Sequence, residues 1–295
     1  SNVYSSYKLN FEGGHNFEFL GGVQFEAENY TYLNATKTSL MQQDVPSLQT
    51  ASGEPTVYEN LAHMATQGVF GRMNYNYKDK YLIETNARYD GSSRFKEGNR
   101  WGFFPSFSLG WNIHREPFWD NLSDFISTFK VRGSWGSLGN QNIAPYQDIN
   151  LMPLNTNPVD WIFGYGSSRP IGYTGTPSLI SPDLTWETAT TTNIGANVYF
   201  LKNKLQLDFD WFERITTDMI GPVGARPGIM GTTVPQSNNA TLQTRGFELS
   251  VGWKDILTNG LSYFVKANLY DNTSIVTDYY NPTNILSSWY EGREV

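Results

Sequence analysis

Apolar and polar residues alternate with a period of two through most of this chain. Between 205 and 214, Leu205, Leu207, Phe209 and Trp211 point one way, and Gln206, Asp208 and Asp210 point the other. A helix would scatter those carboxylates around its axis, whereas an extended strand collects them on one face. Phe247, Leu249, Val251 and Trp253 repeat the pattern against Glu248, Ser250 and Lys254. Tyr81, Ile83, Ala87 and Tyr89 oppose Glu84, Asn86, Arg88 and Asp90, and Phe107, Leu109 and Trp111 oppose Ser106, Ser108 and Asn112. The alternation predicts ten strands, near 2–12, 16–29, 66–78, 80–91, 100–114, 129–138, 184–201, 204–218, 239–254 and 260–276. Many exceed the ~5–6 residues usual in soluble sheets. They suit tilted membrane strands of ~9–11 residues that continue beyond the lipid.

The links between these strands sort by length. Short ones are expected at 13–15, at Asp79, at 202–203 and at 255–259, and long ones at 30–65, 139–183 and 219–238. The link at 92–99 is the shortest on the long side. The link at 115–128 is the exception on the short side, with a helical turn expected between Phe118 and Phe125. Outer-membrane barrels have short periplasmic turns and long external loops, and a soluble sandwich has no reason to sort its loops this way. Tyr77, Tyr81, Trp101, Phe103, Trp111, Phe200, Trp253 and Tyr263 fall near strand ends, where aromatic girdles meet the two lipid interfaces. The fold class read from this pattern is all-β: an antiparallel transmembrane β-barrel segment of about ten long strands, with short periplasmic turns and long extracellular loops. A soluble β-rich carbohydrate-binding module is the alternative.

Composition narrows the function. No run approaches the ~20 apolar residues of a membrane helix, which leaves strand crossing open. A formal charge of −7 argues against nucleic acid, which calls for a basic stripe. The absence of cysteine removes disulfides and thiolate metal sites. The start has no basic segment leading into an apolar one, so it is not read as a signal peptide. The end, SSWYEGREV, reads as hydrophilic with no obvious final strand, and the chain is read as a fragment.

Candidate chemistry is sparse. His15, His63 and His114 lie far apart in sequence, so no metal site is expected. Asp208 and Asp210 would stand ~6–7 Å apart along one strand. That spacing suits a glycosidase pair, but it equally suits a water-lined barrel wall, the preferred reading. No catalytic residue, cofactor or metal is therefore expected. Arg88, Asp208, Asp210, Glu248 and Lys254 are read as polar residues facing the lumen. The link at 139–183 carries Tyr146, Trp161, Phe163, Tyr165 and Tyr173 among Gly, Pro and Asn. Such aromatics suit stacking on sugars or docking a partner protein. Packing of the loop on itself is the competing reading.

Several longer strings resemble one family in order: DGSSRFKEGNRWGFFPSFSLGWNIHREPF at 90–118, FISTFKVRGSWGSLGNQNIAPYQ at 125–147, LTWETATTTNIGANVYFLKNKLQLDFDWFERITTDMI at 184–220 and TRGFELSVGWK at 244–254. They are similar to the barrel signatures of SusC/RagA-like TonB-dependent transporters of the Bacteroidetes. The resemblance implies an outer-membrane barrel of about 22 strands with a filled lumen. It also implies an N-terminal plug, a TonB box through which TonB supplies energy, and a SusD-like surface lipoprotein that captures glycans or peptides. The implied function is import of an oligosaccharide or peptide, not catalysis. Residues 1–295 would then be part of the barrel, lacking the plug, the TonB box and the terminal strands.

Overall fold

The structure is a computed structural model and describes residues 1–44, 46–150, 179–181, 183–222, 234–281 and 285–295. All ten expected strands are present: β1 (Asn2–Phe11), β2 (His15–Lys37), β3 (Pro55–Tyr77), β4 (Tyr81–Ser92), β5 (Trp101–Asn112), β6 (Ile126–Asn140), β7 (Glu187–Phe200), β8 (Leu205–Ile220), β9 (Asn238–Ile256) and β10 (Ser262–Tyr279). They form one sheet in sequence order, each strand antiparallel to the next. Among the described residues no helix is long and apolar enough to cross a membrane.

Register turns alternation into two faces. Phe209 stands opposite Leu249 and Leu207 opposite Val251, while Asp208 stands opposite Ser250 and Asp210 opposite Glu248. The apolar face is not a core. Val69, Leu109, Ile194, Phe209, Val265 and Leu269 are all exposed on it. In water a surface of this extent would be a large aggregation liability; against lipid it is the expected finish. On β9 the apolar run Phe247–Trp253 is bounded by Arg245 and Asp255, ten residues apart. At ~3.3 Å per residue and a tilt of ~40° that interval spans ~25 Å, the height of a barrel's lipid-facing band.

Aromatics mark both borders. Tyr77, Tyr81 and Trp111 form a stacked row with centroids 6.2 and 6.3 Å apart at the short-turn end. There too Trp253 Nε1 donates to the Tyr263 hydroxyl at 3.1 Å. At the long-loop end Tyr89 stacks on Trp101 at 4.7 Å.

The structure departs from the sequence reading in two places, the 30–65 link and the last residues of the chain, and largely agrees in the link after β5. The expected long link at 30–65 is largely strand, because β2 and β3 continue as a ladder to Lys37↔Pro55. Its alternation was hidden because tyrosine and asparagine replace charge on one side, so neither face contrasts sharply. The link after β5 carries two short 3₁₀ turns, Ile113–Arg115 and Pro117–Leu122, close to the helical turn expected there. Finally, the hydrophilic end pairs with β10: an antiparallel bridge joins Ile275 and Glu294, and Val295 N donates to the Ser274 carbonyl at 3.0 Å.

Glu116 organises the exceptional turn. Lys80 Nζ donates to its Oε2 at 2.9 Å and Trp111 Nε1 to its Oε1 at 3.2 Å. The hydrogen bonds from Lys80, Tyr81 and Trp111 hold the carboxyl below its ordinary pKa, against a smaller opposing effect of burial.

Candidate functional site: the inner wall and its long-loop rim

A cavity of about 890 Å³ is lined by residues from β1 through β9. A flat sheet could not bring those strands to one space, so the sheet curls and this is its hollow side. The lining mixes charged residues of both signs and amides with apolar side chains such as Leu82 and Phe212. Lys8 pairs with Glu18 at 3.3 Å. Arg132 on β6 pairs with Asp210 on β8, and Lys130 and Glu248 stand in the same wall.

The candidate residues divide among several places. Asp210 and Glu248 share this cavity and are direct cross-strand partners. Glu248 has no ionic or hydrogen-bond partner among the described residues. Asp208 lies two residues along the same face and accepts a bond from Asn197 Nδ2. Arg88 lines a neighbouring hollow; it holds Asp90 through Nε at 3.0 Å and Nη2 at 2.9 Å, and reaches Gln24 Oε1 at 3.1 Å. Lys254 sits apart, toward the short-turn end, in a hollow with Lys202 and Lys204. Lys130 and Arg132 were missed by the sequence reading. Their signal was present as alternation with Phe129, Val131 and Trp135, but the glycines that follow obscured it.

Of the loop aromatics, Tyr146 is described, and Trp161, Phe163, Tyr165 and Tyr173 lie outside the described residues. The Tyr146 hydroxyl accepts the His63 backbone N–H at 2.8 Å. That bond satisfies an edge donor of β3 above the level where β4 stops pairing, at Thr66↔Ser92.

The rim holds a small apolar cluster of Phe95, Phe104, Ile143, Leu184 and Trp186. It forms where β5 and β6 stop pairing, above Ser106↔Gly136. The Phe104 ring occupies the opening so closely that a Cβ at Gly102 or Gly139 would fall 2.3 or 2.1 Å from it. Trp186 Nε1 donates to the Arg100 carbonyl at 2.9 Å, and Arg100 Nε to the Phe95 carbonyl at 3.0 Å. Arg94 Nη1 donates to the Gln141 and Ile143 carbonyls at 3.1 and 2.7 Å. Both described stems of the 141–186 link are therefore pinned to the link between β4 and β5.

The three histidines serve separate local bonds, to Tyr75, Asn29 and the Phe129 carbonyl. Among the described residues no cluster suits a metal ion.

An all-antiparallel meander with an apolar exterior, two aromatic borders and a hollow lined by charged residues and amides defines an outer-membrane β-barrel wall. The sequence model described as "TonB dependent receptor-like, beta-barrel" matches residues 1–292, and the chain belongs to that family. It is 34% identical over 214 residues to the TonB-dependent receptor SusC of Bacteroides thetaiotaomicron, covering 70% of this chain and 20% of that protein. It is 28% identical to TonB-dependent receptor P3 of Formosa agariphila, covering 92% of this chain and 26% of that one. Among solved structures, the RagAB peptide transporter aligns with a TM-score of 0.83 at 22% identity, over 96% of this chain and 30% of that one. The Escherichia coli outer-membrane transporter YddB aligns with a TM-score of 0.60 at 12% identity, over 94% and 34%. The chain thus spans about a quarter of the curated relatives' length. Its family consists of outer-membrane receptors, not enzymes.

Proposed function

We propose that this chain is wall from a SusC-like importer that passes an oligosaccharide or peptide across the outer membrane without changing it chemically. The observation that carries the reading is the hollow lined by amides and charged residues of both signs from nine successive strands, whose other face is apolar. Such a wall admits hydrated, polar cargo and excludes lipid. Arg88, Asp208, Asp210, Glu248 and Lys254 face the lumen or whatever fills it, and the 139–183 aromatics contact cargo or a partner. In the longer protein a plug fills the barrel, a TonB box engages TonB, and a SusD-like lipoprotein receives cargo outside. Similarity to SusC and to the RagAB peptide transporter supports this reading. The apolar exterior disfavours a soluble carbohydrate-binding module.

The test is uptake in a Bacteroidetes strain lacking the gene. Labelled oligosaccharide or peptide should enter the complemented strain intact, and only with an energised TonB system. Equal uptake without the gene, or cleavage of cargo by the purified protein, would defeat the proposal.

A further inference from the structure

Two neighbouring short turns set one cation beneath a column of rings on the lipid-facing side. In the β3–β4 turn, Lys78 and Asp79 take left-handed backbone, with φ of 50° and 53°. Lys78 N donates to the Gly14 carbonyl of the β1–β2 turn at 2.8 Å. The Lys78 side chain lies against that same glycine, where an added Cβ would fall 2.5 Å from Lys78 Cγ. Its ammonium ends over the Tyr77 ring, 5.2 Å from the centroid. A lysine stem laid along apolar surface, with its charge at an aromatic border, suits the headgroup level of a membrane.

Three observations say what this cation meets. First, it is not neutralised. Lys80 and Arg115 at the same end pair with Glu116 and Asp79 at 2.9 and 3.1 Å. Lys78 is exposed and takes part in no salt bridge among the described residues. Second, a further nitrogen stands beside it. The His15 ring packs on Tyr77 with centroids 4.5 Å apart, and its Nδ1 meets the Tyr75 hydroxyl at 2.9 Å. Its Nε2 lies on the turn side, where a Cβ at Gly13 would fall 4.0 Å from it. Third, the rings continue up the face of Tyr77. Phe17 lies 4.7 Å from Tyr75 and stacks parallel to Phe19 at 6.2 Å. β1 and β4 flank β2 and β3, so the arrangement lies within the sheet. An unpaired cation at the border, with apolar rings rising from it into the membrane, matches an amphiphile whose polar end is anionic.

We propose that Lys78 and His15 hold the phosphate of a phospholipid whose acyl chain lies along Phe17 and Phe19. With the Tyr75 hydroxyl donating to Nδ1, His15 carries its proton on Nε2 and donates it to the phosphate beside the Lys78 ammonium. Short turns face the periplasm, so the lipid belongs to the periplasmic leaflet of the outer membrane. The inference concerns the wall and its membrane, whatever cargo the importer carries.

The experiment uses the full-length importer in detergent, with retained lipid read by native mass spectrometry. Wild type should retain phosphatidylglycerol. Lys78→Gln should weaken retention about five-fold, the worth of one lysine at an anionic membrane surface, and Lys78→Arg should keep it. His15→Phe, which leaves a ring on Tyr77 and the turn untouched, should also weaken it. Lys202→Gln, at another short turn, should change nothing. Diacylglycerol with the same chains should bind wild type no better than Lys78→Gln, and excess inorganic phosphate should not displace the phospholipid. Heat-modifiable gel mobility checks that each variant barrel is folded. Retention unchanged in Lys78→Gln and His15→Phe, or lost equally in Lys202→Gln, overturns the site. Diacylglycerol retained as well as phosphatidylglycerol overturns the phosphate contact, and displacement by inorganic phosphate overturns the lipid as its source.

Discussion

Arg132 on β6 and Asp210 on β8 form an ion pair across the strand that separates them. The bridge exists because β7 presents Gly195 at the crossing, where an added Cβ would fall 2.3 Å from Asp210 Oδ1 and 2.7 Å from Arg132 Nε. On its other side Asp210 faces Glu248, a like-charged pair that would destabilise the sheet without Arg132.

That triangle makes a prediction with an internal control. Arg132→Met should destabilise the barrel by about 1 kcal/mol, because it leaves two carboxylates facing each other. Adding Glu248→Gln should restore much of the loss. Urea titration followed by heat-modifiable mobility reads both. If the double variant is no more stable than Arg132→Met alone, the account of Arg132 as a charge balancer is wrong.

The two faces of β8 should respond oppositely to charge. Phe209→Arg should cost ~2–4 kcal/mol near the bilayer midplane. Asp208→Arg, on the polar face, should be far milder in the same liposome folding assay. Equal costs would contradict the assigned orientation.

Phe103 and Phe104 are neighbours with different surroundings: Phe103 is 60% exposed and Phe104 7%. Phe104→Ala should cost ~3–5 kcal/mol of local packing and release the stems of the 141–186 link to protease. Phe103→Ala should not speed that cleavage. Gly139→Val should imitate Phe104→Ala by displacing the ring. Unchanged cleavage in Phe104→Ala would show that the apolar cluster does not hold the link.

Acid should loosen the short-turn end. The folded state holds the Glu116 carboxyl below its ordinary pKa through Lys80, Tyr81 and Trp111. A depressed carboxyl contributes stability above its unfolded pKa and loses it as pH falls through the folded value. Amide exchange in 113–122 should therefore accelerate on acidification below the ordinary carboxylate range, relative to the intrinsic exchange rate. In Glu116→Gln that extra acid sensitivity should vanish. A variant as acid-sensitive as the wild type would exclude Glu116 as the cause.

All ten strands and the order of short and long links were legible in the chain, since alternation is local: two neighbours reveal which face a residue takes. The girdles at Tyr81, Trp111 and Trp253 were legible for the same reason. The extension of β2 and β3 to Lys37↔Pro55 was missed because neither of its faces shows a sharp contrast of apolar and charged residues. The Phe104 cluster was missed because it joins residues from four separate segments around a place where pairing stops.

By itself, then, the sequence determined the strands, their faces and the lipid-facing band, because each follows from residues a few positions apart. Only the tertiary structure decided that Arg132 reaches Asp210, 78 residues away, that Phe104 fills the gap between β5 and β6, and that Tyr146 meets β3. Those contacts depend on register across several strands and on missing side chains at Gly195, Gly102 and Gly139, and no local pattern encodes either.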